Sequence, residues 1–285
     1  YVVHQAKSVG TIDPPATETI AKTFSGATTV SGALVASSTA QFDTIGVGAA
    51  KDLGVGIHVR SADSGAGVAT DSDELVIEGS GPSGLSILSG NTSNGKISFN
   101  DDGGNSRGAV IYEHNGDNLR FQTVATDAMK IDSAGHITMP KQSAFMATGH
   151  DSTGALSNIA NNNDHSDVPF PTEVFDQNGD YNNSNYTFTA PVTGRYLFCY
   201  NVQLNTVDSA ATYVALRYIS SNRSLDINIL EPDFNADLSR YTLTGSIIGD
   251  LDASDTAKLT IAQYQGTAQM DVGSAQMHFS GCLLA

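Results

Sequence analysis

The sequence has no tryptophan, only two cysteines among 285 residues, and charged side chains at only 15% of its positions. Two cysteines are too few for the disulfide framework of a small secreted domain. Lys and Arg number 14 against 30 Asp and Glu, so the formal net charge is −16. Because phosphate-backbone binders need a surplus of basic side chains, this balance argues against nucleic acid as a partner. It argues in the same way against charge-driven adhesion to an anionic membrane.

Long apolar runs and helical patterns are scarce as well. No apolar run approaches the roughly 18–20 residues of a membrane span, so membrane insertion is not expected. A sustained apolar stripe at i, i+3, i+4 and i+7 is missing, and only residues 15–24 could form a short turn of helix.

The chain contains strand and turn residues instead: 28 Gly, with many Ser, Thr, Asn and Asp. Turn clusters such as 101–105 and the Asn115-Gly116 step, a strong hairpin signal, separate short apolar runs. This spacing predicts an all-β chain with antiparallel sheets. The runs predicted to be strands are 75–77, 85–88, 96–99, 109–112 and 119–121.

Composition changes along the chain predict three parts. Residues 1–40 are small and thinly apolar, so they cannot bury a core alone and would dock on a larger assembly or continue a shaft. Residues 41–139 alternate enough to form a β-rich fibre or spacer module. A boundary falls near Pro140, and the aromatic density rises after Val168, which predicts a second packed domain over 140–285.

The two cysteines, Cys199 and Cys282, each lie in a predicted strand. We expect two buried free thiols that behave as small apolar residues. A disulfide between adjacent strands stays open as the alternative. Neither cysteine has a nearby basic residue in the sequence that would mark a reactive thiolate.

The most specific pattern is a series of aromatic residues with fixed spacing in the C-terminal half. It ends in Gly-x-aromatic-x-Phe-x-aromatic, and a short Phe-x-Gly segment follows near residue 280. This pattern resembles the globular head of the complement first-component q subunit, the complement-q head, over residues 140–285. The matching residues are Phe170, Asp176, Tyr181, Phe188, Gly194, Tyr196, Phe198, Tyr200, Phe279 and Gly281.

The resemblance implies a jelly-roll sandwich like that of tumour necrosis factor, assembled as a homotrimer. The strand 194–200 agrees with it, because both of its faces are apolar, as in a strand that packs between two sheets or against a neighbouring subunit. Complement-q-like heads often hold calcium, so Ca²⁺ bound by Asp or Asn side chains is an open alternative. No cofactor is otherwise expected.

A second resemblance covers residues 84–140. Segments such as 95–99 and 107–112 look like modules of bacteriophage tail fibres, and 128–137 is similar to a short element found in such fibres. Together the two resemblances imply an all-β fibre protein that ends in a complement-q-like jelly-roll head.

This combination predicts a trimeric, non-enzymatic protein of a bacteriophage virion, on the tail or the capsid exterior. Residues 1–40 would contact other virion proteins, and the head would bind a glycan or protein of the host surface through loops at its outer end. The alternatives are a capsid decoration or head-fibre protein, a secreted complement-q-type adhesion module and a glycan-degrading spike. The residues guessed to bind the receptor are Asn222, Arg223, Asp233 and Asn235.

Three further patterns suggest chemistry but have simpler explanations. Residues 79–84 match G-x-G-x-x-G, yet no helix is predicted after them, so a glycine-rich turn is expected. Asp176-x-Asn178-x-Asp180 alternates oxygen ligands, but no Glu closes the loop, so an acidic turn is expected. The seven His are scattered, and the paired carboxylates lie in predicted turns, so catalysis is not expected.

Overall fold

A computed structural model of the protein describes residues 45–47, 57–149 and 156–285. This described part contains strands and turns and no helix, so the all-β prediction is confirmed. Within the same ranges no helix is long and apolar enough to cross a membrane. The helical turn predicted at 15–24 and the docking segment predicted at 1–40 lie outside the described residues.

The chain divides into two compact units, Tyr1–Ser86 and Ile87–Ala285. In the first unit three strands pair side by side and in parallel, β1 (Ile45–Val47), β2 (Ile57–Arg60) and β3 (Leu75–Glu78). The antiparallel prediction was wrong for this sheet. The segments between these strands are long rather than tight two-residue turns, and connections of that length can return the chain to the same end of a sheet.

The second unit begins with a five-stranded antiparallel meander. Its first two hairpins close at the predicted turns, and in the second of these Gly116 and Asp117 have positive φ angles of 108° and 52°. The run 85–88 was predicted as a strand, but it forms none, because no described strand pairs with it. The strands are β4 (Asn94–Asp101), β5 (Gly104–Glu113), β6 (Asn118–Thr123), β7 (Thr126–Ile131) and β8 (Ile137–Thr138), hydrogen-bonded in that order.

The rest of the chain forms a sandwich of two antiparallel sheets. One sheet has the order β11-β9-β20-β14-β17, with β19 beside β14: β9 (Ala144–Thr148), β11 (Thr172–Asp176), β14 (Gly194–Val207), β17 (Leu238–Leu251), β19 (Asp271–Val272) and β20 (His278–Leu283). The other has the order β12-β13-β18-β15-β16, with β10 beside β18: β10 (Ser166–Asp167), β12 (Tyr181–Asn182), β13 (Thr187–Thr189), β15 (Tyr213–Ser220), β16 (Ser224–Leu230) and β18 (Thr256–Tyr264).

Strand register gives the sandwich two distinct ends. Ala144 pairs with Cys282, and Cys282 pairs with Leu197 near the start of β14, so the chain enters and leaves the sandwich at one end. We call this the proximal end; the connections 221–223 and 252–255 also lie there. The connections 208–212, 231–237 and 265–270 lie at the opposite end, which we call the distal end.

The longest strands of the sandwich explain its core. Along β14 the side chains of Tyr196, Phe198 and Tyr200 point inward and are buried, while Leu197 and Cys199 point outward and are half-buried. This alternation is the one that the sequence predicts for a strand with two apolar faces.

Candidate binding site

The residues that carry the complement-q resemblance lie in the core and not on the surface. All seven motif aromatics are at most 5% exposed. The rings form one cluster, in which Phe145 stacks on Tyr181 with centroids 4.7 Å apart and on Phe188 at 5.2 Å. They therefore hold the two sheets together and leave any ligand contact to the loops. The cluster members from the motif are Phe170, Tyr181, Phe188, Tyr196, Phe198, Tyr200 and Phe279.

The buried motif tyrosines each satisfy their hydroxyl group. Tyr181 donates to the carbonyl of Phe170 at 3.1 Å, and Tyr196 donates to the carbonyl of Val192 at 2.7 Å. Burial raises the pKa of both phenols, so they stay neutral donors. These bonds fix the segments before β11 and β14 to the core.

Gly281 is required by ring packing against β20. A Cβ at this position would lie 2.7 Å from Cδ1 of Phe198 and 2.8 Å from Cε1 of Phe145. Gly194 is confined in a similar way, because its Cβ would lie 2.7 Å from the carbonyl oxygen of Ala285. Both motif glycines thus permit close approach within the proximal half of the sheet.

The acidic triplet beginning at Asp176 stabilises a turn. The Asp176 carboxylate accepts the backbone N–H groups of Gly179, Asp180 and Tyr181 at 2.9–3.1 Å. Asp180 in turn accepts the hydroxyl of Ser143 at 2.7 Å. These hydrogen bonds make the triplet an acidic turn, as the sequence predicts.

The four residues guessed to bind a receptor are not brought together. Asn222 and Arg223 precede β16 at the proximal end, and Asp233 and Asn235 follow it at the distal end. The seven residues of β16 separate the two pairs by about 20 Å. All four were expected on loops at the outer end of the head, but only Asp233 and Asn235 lie at the distal end, because β16 joins the two loops. Receptor binding stays a prediction, which the distal pair fits better than the proximal pair.

The proximal pair belongs to a turn that is tied to the neighbouring loop. Asn222 donates to the Asp255 carboxylate at 2.5 Å, and the backbone N–H of Thr256 donates to Ser221 at 2.8 Å. The chain also enters the sandwich from the preceding strands at this end. The distal end carries no such connection, so its loops are the better placed to meet a ligand.

A buried aspartate organises the distal end. Asp208 is 1% exposed and accepts the backbone N–H groups of Ala210 at 2.8 Å and Ala268 at 2.7 Å, with Thr267 as a third donor. Burial opposes ionisation of Asp208, but these N–H groups outweigh it and hold the pKa of the carboxyl below its ordinary value. Gly266 has a φ of +109°, and a side chain there would strike this carboxylate.

The third distal loop is attached through a second carboxylate. Asp237 accepts the backbone N–H of Ser209 at 2.9 Å and its hydroxyl at 2.7 Å. The three distal loops are therefore one connected structure. Sequence reasoning missed Asp208 and Asp237, although an Asp-Ser pair directly after a strand is a turn signal that could have drawn attention to them.

The exposed side chains of the distal end are mostly polar or acidic. Lys and Arg are absent from its three connections, and the half-buried rings of Tyr213 and Tyr264 stack beside it with centroids 5.2 Å apart. Such a surface can accept hydrogen bonds from hydroxyl or amide donors and repels anionic ligands. Its exposed polar side chains include Thr212, Glu231, Asp233, Asn235, Gln265 and Gln269.

A second surface of interest is the outward face of the sheet containing β14. Next to Arg195 and Asp250 at the proximal end, this face carries exposed apolar side chains, with Phe175 49% and Ile248 59% exposed. A shallow cavity of about 190 Å³ lies there, lined among others by Leu197, Cys199 and Cys282. The cysteines are free thiols on neighbouring strands and are half-buried rather than buried as predicted.

The glycine-rich segment, the candidate metal ligands and the histidines noted in the sequence do not come together in one site. Residues 79–84 follow β3, and no helix comes after them in the described part of the chain. Across residues 45–47, 57–149 and 156–285, no three His, Cys, Asp or Glu side chains converge as a metal site. His165 packs in the sandwich, where its Nδ1 lies 3.1 Å from the hydroxyl of Thr260, while His4 and His150 lie outside the described residues.

The sheet order defines a jelly-roll β-sandwich. The family model of the C1q domain matches residues 151–284, so the chain carries a C1q/TNF-like jelly-roll domain at these residues. The strand β9 precedes the matched range and completes the sandwich.

Several solved structures are similar to this chain. The globular domain of the zebrafish complement 1qA protein shares 20% identity with a TM-score of 0.36, over 50% of this chain and 98% of that one. Murine APRIL shares 14% identity with a TM-score of 0.35, over 50% and 100%. The PRD1 vertex protein P5 shares 13% identity with a TM-score of 0.37, over 57% and 86%. A comparison with curated proteins gives no match.

Proposed function

We propose that the protein is a trimeric, non-enzymatic fibre of a bacteriophage virion whose C-terminal head binds the host cell surface. One observation carries this proposal: the sandwich receives and releases the chain at its proximal end and presents three loops at the other. A head mounted in this way points its loops away from its stalk. The fibre-like segments of 84–140 and the C1q-type domain that follows them support the same order of parts.

The trimer is supported by the outward face of the β14 sheet. The outward side chains of its central strands β14 and β20 include the uncharged Leu197, Cys199 and Ser280, and the edge strands β17 and β11 add the exposed Ile248 and Phe175. Next to this patch, Arg195 and Asp250 face each other across β14 and β17 with opposite charges. In a chain with a net charge of −16, a surface without excess negative charge is where copies can meet at the least electrostatic cost. Three heads on one stalk would bind with higher avidity than any single site provides.

Host attachment is tested by comparing the two ends of the head. Fluorescently labelled full chain is applied to cells of the bacterium that the particle infects, with the double variant Asp233→Ala/Asn235→Ala and the matched proximal variant Asn222→Ala/Arg223→Ala. Loss of distal amide and carboxylate groups is expected to weaken binding about tenfold or more, as losing two hydrogen bonds to charged or polar groups does. The proximal variant is expected to bind like the parent. If the proximal variant instead loses binding and the distal variant keeps it, the distal end is not the binding surface.

The place of the protein on its particle separates the fibre from its rivals. Gold attached at Ala285 is located by electron microscopy of intact particles. We expect label at the ends of projecting fibres. Label spread over the capsid faces would favour the capsid decoration protein. Absence from particles together with release into the medium would favour the secreted complement-q-type module, which the C1q match of 151–284 also suits.

A further inference from the structure

The meander of β4–β8 has two chemically different faces. Directly opposed residues of antiparallel strands share a face, so the register assigns each side chain. On one face Lys96, Arg120 and Asp127 carry charge, and Arg120 bonds Asp127 at 2.9 Å. The other face, called here the apolar face, consists of Ile97, Phe99, Val110, Tyr112, Leu119, Phe121, Met129, Ile131 and Ile137.

The apolar face is open to solvent in the single chain. Phe99 is 60% exposed, Ile97 46% and Ile137 56%. Within the unit that begins at Ile87, the described strands of the sandwich do not pair with this sheet or bury these side chains. A half-exposed aromatic side chain presents roughly 100 Å², so the whole face presents on the order of 500 Å². This lies in the upper part of the range of roughly 300–600 Å² for the largest apolar patch of a monomer, and such patches often mark a contact site.

We propose that this apolar face is buried against the meanders of further copies of the same chain, which makes the meander a second self-association element apart from the head. The number of chains that meet at this face, three, is taken from the trimer proposed above. The area is roughly three-fifths of the roughly 800 Å² per partner that a stable interface buries, and the outward face of the head would supply the rest.

Charge identifies a second copy as the occupant. The net charge of −16 makes contact between most surfaces of two copies repulsive, whereas the nine side chains that form the apolar face carry no charge.

Shape supports the same occupant. A shallow cavity of about 250 Å³ lies on the apolar face, with Ile97, Tyr112 and Leu119 in its lining. Leu88, in the same module, is 91% exposed beside Ile87, which also lines the cavity. A protruding Leu and an apolar cavity on one module are complementary surfaces, and a contact of this head-to-tail kind closes into a ring when copies are related by rotation.

The test places a photo-cross-linking amino acid, p-benzoylphenylalanine, at Phe99 of the full chain and, as the matched control, at Ser98 on the opposite face. Irradiation should join chains covalently from position 99, giving dimers and trimers on a denaturing gel, and not from position 98. Peptide mapping should place the links in the meander of another copy. Links from position 99 to residues 1–44 of the same chain, or links at neither position in a sample that is trimeric by light scattering, would overturn the proposal.

A pair of charge variants gives an independent measurement. Phe99→Glu puts a carboxylate on the apolar face, and Ser98→Glu puts the same charge one residue away on the other face. Phe99 is exposed, so its replacement should leave the strand paired, as circular dichroism would verify. Phe99→Glu should raise the dissociation constant of the trimer at least tenfold relative to Ser98→Glu. Equal dissociation constants in a stable trimer would reject this interface and leave the head trimer standing, whereas a monomeric parent chain would reject both.

Discussion

Asp208 shows how one buried residue positions the loops proposed to bind. Its carboxylate accepts three backbone N–H groups, so Asp208→Ala would leave donors of two loops without a partner. We expect a loss of about 2–4 kcal/mol in the free energy of unfolding, measured with urea. Asp233→Ala is the control, since that side chain is exposed, and it should change the stability by less than about 0.5 kcal/mol. Equal effects would show that Asp208 does not organise the distal end.

His165 should make the stability of the sandwich depend on pH. Burial, and after it the charge of Arg217, lowers the pKa of the imidazole, which faces Thr260 and Asp226 as well. Because the folded pKa lies below the unfolded value of about 6.5, the unfolded chain takes up the proton first as pH falls. The stability is thus complete above about pH 6.5 and declines below it. His165→Gln should flatten the melting temperature between about pH 7.5 and 5.5, and an unchanged slope would assign the effect to other groups.

Strand β14 offers the clearest test at the scale of an element. Phe198 points inward and is fully buried, whereas its neighbour Leu197 points outward and is half-buried. Phe198→Ala should cost about 3–5 kcal/mol at any protein concentration, because it empties part of the aromatic core. Leu197→Ala should cost far less within one chain, with its main effect on assembly at low concentration. Unfolding curves at several concentrations would reveal the difference, and similar costs for both would contradict the assigned faces.

The strands of the head were largely predictable from the sequence, whereas the presence of a partner strand for a given apolar run was not. The Gly-x-Tyr-x-Phe-x-Tyr series ending at Tyr200 predicts a strand with alternating faces, because period-two burial is a local property. The run 85–88 has the same apolar character but lacks a partner strand, which only the whole fold decides.

The binding surface was the least predictable part. Asn222 and Asp233 lie in similar polar loops, and the sequence does not reveal that β16 carries them to opposite ends of the sandwich. Asp208 was missed because its partners Thr267 and Ala268 are distant in sequence. The positions of these loops and the partners of Asp208 depend on the pairing of strands far apart in sequence, which local sequence patterns do not reveal.

At the scale of the whole molecule, the acidic charge should oppose assembly. A trimer triples the −16 of one chain, so repulsion between copies is reduced when salt screens it. Raising the ionic strength from about 0.01 M to about 0.15 M shortens the screening length from about 30 Å to about 8 Å and should lower the trimer dissociation constant. Analytical ultracentrifugation would measure the shift. Weaker association at higher salt would indicate that ion pairs, rather than uncharged faces, hold the copies together.

Self-association of the chain underlies both the trimeric head and the shared apolar faces, and the mass of the intact chain in solution tests it most directly. Light scattering on the full chain at about 0.15 M salt, where charge repulsion is largely screened, should give three times 29.7 kDa and keep that mass on moderate dilution. A mass of 29.7 kDa under the same conditions would contradict the trimeric head and the shared apolar faces alike.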